Sequence, residues 1–408
     1  MFPKKLQDKL KLRAEDQSLR ALRSANSSID FSSNDYLGYA KSEAIFKNTH
    51  DYLVKHNLFF NGATGSRLLT GNHQLYPELE QAIANYHRAE TALIFNSGYD
   101  ANLGFFSSVP QRNDIILFDE FCHASIRDGI SMSHAKSFKF RHNDIKDLVQ
   151  KITRNRANID EHQTATEPPE IYVVTESVFS MDGDSPDLIA LSKLCMDHQA
   201  KLIIDEAHAI GVFGKMGVGL TCELQLESSV FARIITFGKA IGCHGAAVLG
   251  SEDLKAYLVN FSRPFIYTTG LPPHALATIK MAYAELSVHS VGKVHAIELL
   301  KRNIHFFKTE MERLQIPALT MAKVSEEKVG FIASDSAIHS CIISGNSRVK
   351  TISEALKLHG FDVKAILSPT VPKGSERLRF CLHSYNSQVD ITKVLQLLAT
   401  FVADESNV

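Results

Sequence analysis

None of the six cysteines (Cys122, Cys195, Cys222, Cys243, Cys341 and Cys381) stands in a CxxC pair. That absence argues against a zinc site or disulfide frame and leaves single reduced thiols, the cytosolic pattern. Neither charge is in surplus: 44 basic residues face 45 acidic ones, for a formal net charge of -1. Such a balance gives no overall attraction to nucleic acid or to an anionic membrane. No apolar run approaches the length of a membrane span. The opening stretch "MFPKKLQDKLKLRAEDQSLRALRS" carries Asp8, Glu15 and Asp16 and has no apolar core. It reads as neither transit nor signal peptide, so the expected location is the cytoplasm. Internal repeats and low-complexity linkers are also missing. So is a P-loop, which matters because Asp205 to His208 spell the helicase motif "DEAH". Around Lys215 the P-loop positions hold Ala209 and Met216, and around Lys239 they hold Arg233 and Ala240. Neither fits G-x-x-x-x-G-K-[ST], and the helicase reading fails.

What is present is an ordinary globular composition: 408 residues, 44% apolar and 22% charged, enough for one large α/β enzyme. Residues 4–23 read as an amphipathic helix on Leu6, Leu10, Leu19 and Leu22. "FSSNDYLGY" reads as a short strand and turn, "NGATGSRLLTGN" as a Gly-rich loop, and "PELEQAIANYHRA" as a helix. The short apolar runs "TALIF", "DIILF", "IYVVT", "AKLIID", "ARIITF" and "GAAVLG" then alternate with helical patterns such as "DLIALSKLCMDHQ". That alternation predicts a mostly parallel sheet wrapped by helices. A long helical pattern over 285–313 leads into a C-terminal region with "SCIISG", "VKTISEALKLHG" and "RLRFCLH".

Ligands of open α/β sheets bind at the carboxyl ends of strands, so residues just after the apolar runs carry the interest. Ser97, Gly98 and Tyr99 follow "TALIF" and enter a helix. They form either a phosphate site of free backbone N–H groups or an ordinary strand-to-helix turn. His123 follows "DIILFDEF", and Ser180 and Asp182 lie in "SVFSMDGD", where Asp-Gly is first a turn signal. Asp205 ends "AKLIID", as a functional carboxylate or a helix N-cap, with His208 three residues on. Lys239 follows "ARIITF" between apolar flanks, an uncomfortable place for a free ammonium. Taken together, a phosphate cradle, a stacking ring, a carboxylate and an amine are what pyridoxal phosphate (PLP) requires. Its aldehyde would tie up Lys239 covalently.

The motifs "FSSNDYLG", "NSGYDAN", "VTESVFSMDGDSPDL", "IIDEAHAIGVFG", "TFGKAIGCHGAAVLG" and "FIYTTGLPP" resemble, in order, those of the α-oxoamine synthases. These are fold-type-I PLP enzymes of the aspartate aminotransferase-like α/β class, with a large mostly parallel domain and a smaller α+β C-terminal one. The resemblance implies an N-terminal segment at 1–45, a PLP-binding domain at 46–283 and a C-terminal domain at 284–408. It implies Lys239 as covalent anchor and base, Asp205 at the pyridine nitrogen, and His123 stacked on the ring. It places Ser180 and His208 near the phenolic oxygen, and Ser97, Gly98, Tyr99 and Thr236 among the near-subunit cofactor contacts. Thr269 becomes a phosphate contact from a second copy, hence a homodimer with shared active sites. Asn34 and Arg379 match groups that hold the amino-acid carboxylate, and Arg20 and Thr370 match substrate positions. The presence of Lys239, Asp205 and His123 speaks against a catalytically silent subunit.

The reaction implied is a decarboxylative condensation of an amino acid with an acyl-CoA or acyl carrier protein. "FSSNDYLG" and "ILSPTVPKGSERLRF" most resemble the biotin-pathway branch, which joins L-alanine to a pimeloyl thioester. Branches using glycine with a short acyl-CoA, or serine with palmitoyl-CoA, share the cofactor residues. Tyr76 replaces a common His, and Leu367 stands where some biotin-pathway relatives carry Arg. A carboxylated acyl chain would then need another cation, for which Lys364 and Lys373 are the nearby candidates.

Overall fold

A computed structural model describes residues 2–16, 18–22, 27–161, 168–287, 294–319 and 329–405. The chain forms two compact units, one of residues 37–179 and 185–297, the other of residues 1–36, 180–184 and 298–408. The strands in chain order are β1 (Ile29–Asp30), β2 (Thr91–Phe95), β3 (Ile115–Asp119), β4 (Lys136–Phe140), β5 (Ile171–Glu176), β6 (Lys201–Asp205), β7 (Ala232–Thr236) and β8 (Ala246–Gly250). They continue with β9 (Ala318–Leu319), β10 (Gly330–Ile332), β11 (Ile338–Ile342), β12 (Phe361–Asp362), β13 (Lys364–Ile366) and β14 (Arg377–Cys381).

The larger unit holds a seven-stranded sheet in the order β2-β8-β7-β6-β5-β3-β4. β4, β3, β5, β6 and β7 are parallel, and β8 runs antiparallel to both β7 and β2. β2 therefore points the same way as the parallel set, and six strands end at one sheet edge. The expected mostly parallel α/β sheet is what forms. β2, β5 and β7 are buried along their whole length, which is why they read as continuous apolar runs without alternation. Successive side chains serve opposite faces. Leu93, Ile116, Val174, Ile203 and Ile234 pack with Phe105, Ile126 and Leu258 on one side. Leu117, Val173, Leu202 and Ile204 pack with Leu148, Ile152 and Leu191 on the other. The sequence pattern misses β4: in "KSFKF" only Phe140 is buried, as suits an edge strand with little apolar surface to advertise.

In the smaller unit β13-β14-β11-β10-β9 form a second sheet, antiparallel except for β9–β10, and β1 pairs in parallel with β12. Here the helix expected over 4–23 stops at Glu15 and buries none of its residues, so packing contributes little to holding it. Leu19 and Leu22 lie beyond it, exposed; residues 17 and 23–26 lie outside the described residues. The strand expected in "FSSNDYLGY" is displaced to Ile29–Asp30, and Asp30 instead caps the turn that follows through Ser32 N and Ser33 N. The long helix expected over 285–313 becomes Pro273–Ser287 and Ala296–Arg313, with residues 288–293 outside the description. Among the described residues, no helix is long and apolar enough to cross a membrane.

Candidate active site

Five of the six strands that end at the shared edge of the large sheet, all but β4, lead to a candidate site residue. β7 is followed by Phe237, Gly238 and Lys239, whose Nζ lies 2.7 Å from His208 Nε2. β6 ends in Asp205, buried, with Oδ2 accepting from the Asn102 amide at 2.8 Å and Oδ1 from Ala207 N at 2.9 Å. Two N–H donors on its two oxygens suit a carboxylate rather than a carboxylic acid. Three residues past β6, His208 is buried as well.

His123 follows β3 and caps the helix Ala124–Met132: Ser125 N donates to its Nδ1 at 3.2 Å, and Ser125 Oγ lies 2.7 Å from the same atom. Its own backbone N–H donates to Glu176 Oε1 at 2.6 Å. Burial holds the His123 imidazole below its ordinary pKa; Lys239 and Arg127 push the same way, and Asp205 and Asp128 oppose them. The ring is therefore neutral near pH 7. Because Nδ1 accepts a backbone N–H, the ring proton sits on Nε2. Glu176, at the end of β5 and opposite Asp205 in the ladder, is pushed far up, first by burial and then by Asp205.

β2 leads to the helix Gly98–Ser108, where Ser97 is the N-cap: its Oγ accepts from Asp100 N at 3.0 Å and donates to Asp100 Oδ2 at 2.9 Å. The N–H groups of Gly98 and Tyr99 remain as first-turn donors. A Cβ added at Gly98 would stand 3.6 Å from Thr236 Oγ1, so the hydroxyl lies beside the helix start. Tyr99 is exposed, with its hydroxyl 2.5 Å from Asp128 Oδ2. Thr269 bridges to Ser66 and accepts from Asn96 Nδ2 at 2.6 Å through its carbonyl. Tyr76, the substitute for His, is buried and receives Leu271 N on its hydroxyl at 2.7 Å, so it supports the segment just past Thr269.

The remaining predicted residues belong to the smaller unit. Arg379 is buried on β14; its Nε donates to Ser180 O at 2.7 Å and its Nη2 to Asn34 Oδ1 at 2.9 Å. Among the described residues no carboxylate pairs with it. Arg377, two residues earlier, is ion-paired with buried Asp182. Arg20 and Thr370 are exposed, Thr370 in a turn closed by its N–H to Leu367 O at 2.9 Å. Sequence reasoning missed Asn102, Ser125, Glu176 and the Asp182–Arg377 pair as parts of the arrangement. Ser125, two residues after His123, is a hydroxyl within local reach of that ring, a signal that could have been read.

The aminotransferase class I and II family matches residues 26–398. The 8-amino-7-oxononanoate synthase of Emericella nidulans is 37% identical over 413 residues, covering 98% of this chain and 97% of the relative. That of Photobacterium profundum is 34% identical, over 96% of this chain and 91% of the relative. Among solved structures, an SPT with PLP superposes with a TM-score of 0.84 at 25% identity, over 100% of this chain and 99% of that one. The 8-amino-7-oxononanoate synthase of Francisella tularensis superposes with a TM-score of 0.73 at 26% identity, over 94% of this chain and 100% of that one. The chain belongs to the aminotransferase class I and II family and is a PLP-dependent enzyme. Its relatives bear out the resemblance to the α-oxoamine synthases.

Proposed function

We propose that the protein joins L-alanine to a pimeloyl thioester, releasing CO2 and the thiol carrier, to form 8-amino-7-oxononanoate for biotin. The observation that carries this reading is the gathering of Lys239, Asp205 and His123 at one sheet edge, in a chain whose near full-length relatives are 8-amino-7-oxononanoate synthases. The donor set fits PLP. A capped helix start with two available N–H groups suits a phosphate, and beside it lies the Thr236 hydroxyl, which donates to Gly245 O at 3.1 Å. An acceptor carboxylate suits a protonated ring nitrogen. PLP supplies an electron sink for the carbanion at the amino-acid Cα.

The chain's own residues do the rest. Lys239 anchors the cofactor and moves the Cα proton, with His208 beside its Nζ to orient the amine. Asp205 holds the proton on the ring nitrogen. His123 covers the ring, and its Nε2–H is available to a substrate oxygen. Ser97, Gly98, Tyr99 and Thr236 receive the phosphate, joined by Thr269 from a second copy in a homodimer. Ser180 and His208 serve the phenolic oxygen. Arg379 and Asn34 hold the amino-acid carboxylate: a buried guanidinium bonded to neutral oxygens keeps its charge for an incoming anion. Arg20 and Thr370 contact the acyl partner. Either CoA or a carrier protein could bear that chain, and the enzyme would act in the cytoplasm.

The test is thiol release by purified protein with PLP, crossing L-alanine, glycine and L-serine with pimeloyl-, acetyl-, succinyl- and palmitoyl-CoA, with Lys239→Ala as control. Release with alanine and pimeloyl-CoA alone, lost in the control, is expected. Release with serine and palmitoyl-CoA, which the SPT likeness would favour, keeps the chemistry and overturns the substrate. No turnover with any pair and no cofactor absorbance overturns the reading.

A further inference from the structure

Asn102 lies on the helix Gly98–Ser108 and is 2% exposed. Its Nδ2 donates in two directions, to Asp205 Oδ2 at 2.8 Å and to Ser125 Oγ at 3.0 Å. Ser125 Oγ, having accepted there, has its own proton to give to His123 Nδ1 at 2.7 Å. Four side chains from three elements thus form one line: carboxylate, amide, hydroxyl, imidazole. The amide cannot turn over, because its oxygen would then face the Asp205 carboxylate. Asn102 Oδ1 is buried with no partner among the described residues. A half-satisfied amide in a core costs stability relative to a packed apolar side chain. Packing therefore does not account for its presence, whereas the two bonds it donates do.

The approach of the two helices is built in. A Cβ on Gly129 would lie 2.9 Å from Asn102 O and 2.9 Å from Phe106 Cβ. Only glycine lets the helix Ala124–Met132 come close enough to bring Ser125 against Asn102.

We propose that Asn102 and Ser125 are positioning residues that tie the ring-nitrogen carboxylate to the stacking histidine. This rests on the PLP reading above, in which Asp205 and His123 touch the cofactor. Asn102 donates at both ends, so no proton can travel the line. Its task is to keep Asp205 an acceptor and to fix the place and tautomer of His123. The charged and titratable groups that face this line include Glu176, Lys239, Arg127, Asp128, Asp119 and Cys122.

The experiment uses the holoenzyme and the variants Asn102→Leu, Ser125→Ala, Ser125→Thr and Asp205→Asn. It reads PLP affinity by equilibrium dialysis, the pH at which the bound cofactor's visible absorbance titrates, and kcat and KM for the amino acid. Asn102→Leu should weaken PLP binding tenfold or more and move the absorbance titration. Ser125→Ala should lower kcat about tenfold with KM little changed, and Ser125→Thr, which keeps the hydroxyl, should restore it. If Asn102→Leu does not fold, the Ser125 pair decides alone. Wild-type affinity and titration in folded Asn102→Leu, or Ser125→Thr no better than Ser125→Ala, overturns the inference while Asp205→Asn still loses PLP. Full PLP affinity in Asp205→Asn overturns the cofactor reading beneath it.

Discussion

Arg377 and Arg379 stand two residues apart on β14, so they share a face of the strand. Their partners differ. Arg377 is fully buried and ion-paired with Asp182, and its Nε donates to Ser375 O at 2.9 Å. Arg379 donates to the neutral oxygens Ser180 O and Asn34 Oδ1 and also bonds Tyr36 and Cys381, with no carboxylate paired to it among the described residues. Arg377→Met should therefore act on stability: it removes the guanidinium ion-paired with the buried Asp182 carboxylate, and breaking such a buried pair costs about 3–5 kcal/mol. Replacing both members, Arg377→Met with Asp182→Leu, should recover most of that loss. Arg379→Met should act on substrate binding. Hydrogen bonds to a charged group are worth about 1.5–3 kcal/mol, so KM for the amino acid should rise roughly 10- to 150-fold at 1.4 kcal/mol per decade. Urea unfolding of each variant and initial rates against amino-acid concentration separate the two effects. The reasoning is refuted if Arg379→Met keeps its KM, or if Arg377→Met loses substrate binding at undiminished stability.

His87 and His339 are fully buried and held down to about 3, mainly by burial. Their depressed pKa means the unfolded chain binds the proton first. Stability is then full above pH 6.5 and falls as pH drops toward 3, by about 1.4 kcal/mol per pH unit for each histidine. Urea unfolding at pH 7, 6 and 5 should show this slope, and His339→Leu should lower it by about half, leaving the share of His87. Gly129→Ala should destabilise by about 1–3 kcal/mol through overpacking. Gly62→Ala, where an added Cβ meets nothing within 4 Å, should be near neutral when the two variants are compared in thermal melts. Five cysteines are buried and Cys243 is half-buried, with burial pushing Cys195 and Cys341 up to about 12. An aromatic disulfide reagent should label one thiol quickly in the native enzyme and six after unfolding.

The strands of the large sheet were legible because burial on both faces writes them as unbroken apolar runs. β4 was not, because Lys136 and Lys139 at an open edge read as polar. Lys239, Asp205 and His123 were legible for a related reason: each ends or closely follows a readable strand, where α/β sheets place ligands. Asn102 and Ser125 sit inside helices, where amides and hydroxyls are commonplace and only the packing across Gly129 shows what they face. Arg377 and Arg379 are the same residue type on the same strand, and no sequence pattern tells the paired one from the one that keeps its charge for a ligand. That difference lies in Asp182 and Asn34, about 195 and 345 positions away along the chain.

The smaller unit draws on the first 36 residues, on 180–184 and on everything after 298. β1 pairs Ile29 with Phe361, a partner 332 residues later. At roughly 5–20 residues per second of synthesis, that partner emerges about 15–70 seconds after β1 does. Throughout that interval "IDFSSND" must wait without its strand mate, while the large sheet, whose strands lie between Thr91 and Gly250, can already close. This early segment is thus among the last parts of the two units to find its place, and chains truncated before residue 361 should leave it accessible to proteases.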